Sequence, residues 1–237
     1  MALKKPPKIP EPAGQPPPQP PSQKIDFRHE GSWRIFRIMS EFIDGFQFLG
    51  DLKKEVSFFG SARFTEKNPH YQEALKLARM LGKSGFTVVT GGGPGIMEAA
   101  NRGAVESGAE SVGINIQLPK EQRVNKYVKR GIGFHYFFTR RVMLSASAQA
   151  YIFFPGGFGT LDEFFELVTL IQTKKMERIP IILVGRDYWG TLFQWMEDWV
   201  LKTHHAISAE DLKICKLVSS VEEAFEIIKK SKEREYF

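Results

Sequence analysis

Short unbroken apolar runs pace this sequence, with longer amphipathic segments between them, and few architectures accept that alternation. EVSFF (55–59), FTVVT (86–90), SVGINI (111–116), AYIFF (150–154), IPIILV (179–184) and ICKLV (214–218) have strand length and strand composition. Between them, PHYQEALKLARMLGKSG reads as a helix ending at Gly85. Further helices are expected from about Ile96 to Gly108, from about Thr139, from about Thr160 to Lys174, over 189–201, and from Ser220. The stretch from Pro119 to Gly133 is basic and irregular. Strands that lack polar alternation are buried on both faces, so they belong in a parallel sheet covered on each side by helices. The expected fold class is α/β, a Rossmann-like doubly wound parallel sheet in a single domain. An added N-terminal helix precedes it: SWRIFRIMSEFIDGFQFL sets Trp33, Phe36, Met39, Ile43 and Phe46 at three- and four-residue steps.

Nine of the fourteen prolines lie between Pro6 and Pro21, which rules out helix or ladder there. Residues 1–25 are read as a disordered Pro-rich leader and 26–237 as the nucleotide-binding catalytic domain. The leader also holds +3 of the formal +6 charge, Lys4, Lys5, Lys8 and Lys24 against Glu11. The remainder is mildly basic, suited to a small anionic ligand, and no stacking or recognition-helix motif accompanies it, so no nucleic acid is expected. No run approaches the roughly 18–20 apolar residues that span a bilayer, and MALKKPPKIP has no apolar signal core. With the single Cys215 no internal disulfide can form, and the expected setting is the cytoplasm, with no membrane partner.

Three strands run out into small residues: GSAR (60–63), GGGPG (91–95) and PGGFGT (155–160). In such sheets ligands bind beyond the carboxyl ends of the strands, where the strand order reverses. Glycine lets backbone approach a ligand, and the following helix offers unpaired N–H groups and partial positive charge to a phosphate. Each loop is equally compatible with a tight strand–helix turn. The dinucleotide fingerprint is not met, because from Gly91 its third glycine falls on Ile96, and the P-loop lysine is missing too.

Beyond the third loop stand Asp162 and Glu163, which a helix beginning near Thr160 would place in its first turn, where acids favour the dipole. That account is adequate for Asp162. Glu163 shares the rim of the three loops, where a carboxylate is useful for holding hydroxyls or activating water. In HYFFTRRVM, Arg140 and Arg141 sit at a helix start, against the dipole, which calls for a surface salt bridge or an anionic or polar ligand.

The residues PGGFGTLDE, with Arg140 fifteen positions before Pro155, together with TGGGPGIMEAAN (90–101) and FFGSAR, carry a resemblance. The chain resembles the LOG ("lonely guy") family of cytokinin riboside 5′-monophosphate phosphoribohydrolases, in its longer bacterial branch, often labelled "possible lysine decarboxylase". The resemblance runs roughly from Lys54 to the last helix. It implies hydrolysis of the N-glycosidic bond of a nucleoside 5′-monophosphate such as AMP, without metal or cofactor. Arg140 and Glu163 match its catalytic pair. Gly156, Gly157, Gly159 and Thr160 match its phosphate turn, and Gly91, Gly92 and Gly95 its second loop. Gly60, Ser61 and Arg141 join them as substrate-binding residues. Two departures stand out: Thr90 falls where the family's plant-type loop has its first glycine, and Arg141 where lysine is usual. A pyridoxal enzyme needs a singled-out Schiff-base lysine, which the sequence does not offer. The resemblance also implies a homodimer or higher homo-oligomer. The alternative is a non-catalytic nucleotide or molybdenum-cofactor carrier.

Overall fold

The computed structural model describes residues 31–117 and 124–234. The Pro-rich leader lies outside the described residues. The chain divides into two compact units, Met1–Phe36 and Arg37–Phe237. Helix α1 (Gly31–Gly50) begins in the first, where Trp33 meets Phe36 edge to face at 6.4 Å.

In the second unit seven strands form one parallel sheet: β1 (Glu55–Phe59), β2 (Thr87–Thr90), β3 (Ser111–Ile116), β4 (Arg130–Phe134), β5 (Ala150–Phe153), β6 (Ile181–Val184) and β7 (Cys215–Val218). Their order is β4–β3–β2–β1–β5–β6–β7. The order reverses at β1, which pairs with β2 (Val56 opposite Val88) on one side and β5 (Val56 opposite Ala150) on the other. Six of the strands coincide with the apolar runs. β4 does not: RGIGF sits at the end of the stretch read as irregular. Two glycines and an arginine hide it, and as an edge strand it is held by backbone pairing to β3 from Val112–Arg130 to Ile116–Phe134.

Helices cover both faces. Val56 and Phe58 of β1 turn to a core formed with α2 (Pro69–Lys83), α3 (Ile96–Ser107) and α7 (Val221–Ile228). Phe59 turns to the opposite core, shared by α4 (Phe137–Ala146), α5 (Phe158–Gln172) and α6 (Arg186–Trp195), with Phe42, Phe48 and Leu49 of α1 packed against it. Past Trp195 the expected single helix continues as a π-helical stretch, Met196–Thr203. Helix α5 starts at Phe158, not near Thr160, because Gly157 in extended conformation serves as its N-cap. Asp162 and Glu163 therefore stand beyond the first turn, and the dipole account expected for Asp162 does not hold.

At the amino ends of the strands the C-terminal segment laces the sheet. Lys54 N donates to Glu233 Oε1 at 3.0 Å, and Gln149 Nε2 to Ser231 Oγ at 2.8 Å. Arg234 donates to the carbonyls of Ser145 and Ala146, at the end of α4.

Candidate active site

The loops leaving β1, β2 and β5 meet at the reversal of strand order, where a crevice is expected. They are joined backbone to backbone: Ser61 N donates to Pro155 O at 3.0 Å, and Ile96 N to Ser61 O at 3.0 Å. Gly95, at φ 72°, has its Cα against the Ser61 carbonyl and Ala62, so a side chain there would displace the first loop. Gly156 lies as close to Thr160, whose side chain would collide with any Cβ.

A cavity of about 860 Å³ opens between these loops. Of the residues expected to form the site, Gly60, Ser61, Gly91, Arg140, Arg141, Gly156, Gly157, Gly159, Thr160 and Glu163 line it. Gly92 and Gly95 do not; they stand behind the wall. Gly92 N donates to Thr90 Oγ1 (2.8 Å), and its carbonyl accepts from Asn125 N (2.8 Å). Thr90, at the position where the plant-type loop has glycine, thus ties the loop down. Its hydroxyl donates to Asn101 Oδ1 at 2.7 Å, which also accepts from Asn125 Nδ2 at 2.9 Å. These buried amides are hydrogen-bonded, as burial requires.

Glu163, 5% exposed, reaches the cavity from α5. Arg140 Nη1 donates to its Oε1 at 2.9 Å, while Oε2 is buried and has no hydrogen-bond partner among the described residues. Burial, offset in part by the Arg140 charge, lifts the Glu163 carboxyl to about 7. Burial likewise pushes Arg140 below its ordinary value, against the pull of Glu163. Arg140 is braced twice more: its Nε donates to Ile114 O at 3.2 Å, and its guanidinium lies over Gly91, where a Cβ would stand 2.5 Å from Nη2. Arg141 takes the salt-bridge role, 2.6 Å from Asp162 and 3.4 Å from Glu166. The N-terminus of α5 has no side-chain cap, so its first N–H groups are presented at the turn that lines the cavity.

Several supports escaped sequence reasoning. Glu41 of α1 ties down the approach to α4: it accepts from His135 N (2.8 Å), Tyr136 N (3.3 Å) and Thr139 Oγ1 (2.5 Å). Tyr188 of α6 donates to Gly156 O at 2.8 Å and lines the cavity. The signals available were an Asn inside an apolar helix face (Asn101) and a Tyr–Trp pair just after β6. At the rim, Phe158 is 93% exposed and Phe137 56%. Burial pushes the Cys215 thiol up to about 12, away from the reactive thiolate form. Among the described residues no three His, Cys, Asp or Glu cluster as metal ligands, and no helix is long and apolar enough to cross a membrane.

The family model described as "Possible lysine decarboxylase" matches residues 97–228. A protein of Oryza sativa subsp. japonica, "Probable cytokinin riboside 5′-monophosphate phosphoribohydrolase", is 26% identical over 154 residues, 62% of this chain and 71% of its own length. A cytokinin riboside 5′-monophosphate phosphoribohydrolase of Arabidopsis thaliana is 29% identical over 155 residues, 61% of this chain and 67% of its own. Among solved structures, the molybdenum cofactor binding protein of Rippkaea orientalis shares the fold, with a TM-score of 0.55 and 22% identity over 74% of this chain and 93% of that one.

Proposed function

The chain belongs to the LOG family, whose model carries the description "Possible lysine decarboxylase", and from that premise we propose that it is a nucleoside 5′-monophosphate phosphoribohydrolase. AMP or a cytokinin riboside monophosphate plus water would give the free base and ribose 5-phosphate. One observation carries the reading. A buried carboxylate, lifted to about 7 and held by Arg140 through one oxygen, keeps its other oxygen without a partner among the described residues, on the cavity that the uncapped start of α5 also lines. A sugar phosphate asks for that pair of features: N–H donors for the phosphate and a carboxylate for ribose hydroxyls.

In this reading the 5′-phosphate rests on Gly156, Gly157, Gly159 and Thr160, against the positive end of α5. Glu163 Oε2 accepts from ribose hydroxyls and orients or deprotonates the attacking water. The C1′–N bond breaks with its electron pair leaving on the base, which takes up a proton, and the water oxygen bonds C1′. The oxocarbenium-like transition state gains from the adjacent carboxylate, as in glycoside hydrolysis. Arg140 orients Glu163 and faces the charge of the leaving group. Gly60, Ser61, Gly91 and Arg141 complete the wall. No lysine lines the cavity among the described residues. Exposed Met39, Ile43 and Phe46 on α1 support assembly into a homodimer or larger homo-oligomer.

The test is chromatographic release of free base from a panel of nucleoside monophosphates by the wild type and Glu163→Gln. Release by the wild type, lowered at least about 100-fold in the variant, is expected for loss of an acid–base group. No base from any substrate, or equal rates, overturns the mechanism; tight ligand retention without turnover would indicate the carrier alternative.

A further inference from the structure

The charges lining the cavity do not balance. Arg63, Arg140 and Arg141 face Asp162 and Glu163. Arg140 is engaged by Glu163, and Arg141 by Asp162 and Glu166. Arg63 is exposed, and among the described residues no ion pair or hydrogen bond engages its guanidinium. Its backbone, by contrast, is fixed: Arg63 N donates to Ser61 Oγ at 3.1 Å, and Ser61 is bonded on one side to Pro155 and on the other to Ile96. The loop therefore holds Arg63 at the cavity wall, between the turn that starts α5 and the loop that starts α3.

Helix α5 brings only about half a positive charge to its N-terminus. A phosphate monoester carries close to two negative charges, as phosphorylated side chains do at neutral pH. With both other arginines committed to carboxylates, the charge balance is left to one side chain. We propose that Arg63 closes the phosphate end of the cavity, pairing with the 5′-phosphate and selecting nucleoside monophosphates over unphosphorylated nucleosides. The proposal deepens the phosphoribohydrolase reading and rests on it for the substrate class. A guanidinium fork suits the task, because it can give two parallel N–H bonds to phosphate oxygens where an ammonium gives a point charge.

The experiment compares wild type, Arg63→Ala and Arg63→Lys in two assays. The first is calorimetric binding of ribose 5-phosphate, which needs no turnover. The second is base release from AMP. Arg63→Ala should weaken ribose 5-phosphate binding about 10- to 100-fold, the worth of a lost charge-assisted contact, with Arg63→Lys in between. In turnover the KM for AMP should rise far more than kcat falls. Wild-type affinity for ribose 5-phosphate in Arg63→Ala overturns the proposal, as does a wild type that does not bind it. A wild type that binds ribose 5-phosphate through Arg63 but releases no base keeps the proposal and sinks the hydrolase reading. Arg63 is exposed, and among the described residues no hydrogen bond or ion pair holds its guanidinium, so unfolding midpoints of all three proteins should coincide.

Discussion

Arg140 of α4 and Glu163 of α5 meet at 2.9 Å, and both are largely buried, at 17% and 7% side-chain exposure. The pair crosses between helices that begin on different strand loops, so it also joins them. Removing one partner of a buried pair leaves an uncompensated charge, at about 3–5 kcal/mol. Arg140→Ala should therefore lose stability at pH 8, measured by denaturant unfolding. At pH 5, where Glu163 is protonated in the folded protein, the loss should be much smaller.

The pH profile follows from the same carboxyl. Burial lifts Glu163 from its ordinary 4.5 to about 7, so it is protonated below that value and ionised above it. If the ionised form holds the sugar and water, kcat/KM for AMP should climb between pH 6 and 8 with a midpoint near 7. Stability runs the other way. The folded protein binds more protons than the unfolded chain between 4.5 and about 7, so this group's contribution falls as pH rises through that window. A rate profile without an inflection near neutrality would remove Glu163 as the titrating group.

Gly95→Ala should destabilise by at least about 2 kcal/mol, since a backbone at φ 72°, ψ −129° costs a non-glycine residue of order 1–3 kcal/mol and the new methyl would overlap the Ser61 carbonyl. Because the displaced carbonyl belongs to the loop carrying Arg63, affinity for AMP should fall as well. Thermal unfolding and a KM measurement on the same preparation check both.

Glu41→Ala should release the backbone just before α4 and the Thr139 hydroxyl, and cost about 1.5–3 kcal/mol, the range for hydrogen bonds to a charged group. Since α4 carries Arg140 one turn further on, kcat should fall while KM stays close to wild type. Glu41→Gln, which keeps one acceptor oxygen, should recover part of both losses.

The sheet was legible because burial on two faces writes itself as uninterrupted apolar runs. The single strand without such a run, β4, lies at the edge, where glycine is tolerated and backbone pairing suffices. The start of α5 was misplaced by two residues, since a helix opened by Gly157 and Phe158 carries no capping side chain. The cavity-lining glycines were visible in the sequence, because close backbone approach demands that residue type. Pairing of Arg140 with Glu163 was expected only from the shared rim and the family resemblance. Glu41 and Asn125 were invisible for a physical reason: side chains that bond backbone 94 and 33 residues away leave no period behind them.

Placing the cleft where β1 meets β5 also has a kinetic consequence. Val56 and Ala150 are neighbours in space but 94 residues apart in the chain, and closing such a loop costs about 4 kcal/mol of chain entropy before any contact repays it. The two halves of the cleft therefore come together only with this long-range pairing, so during refolding the recovery of ligand binding should follow completion of the central sheet and lag behind the helical signal.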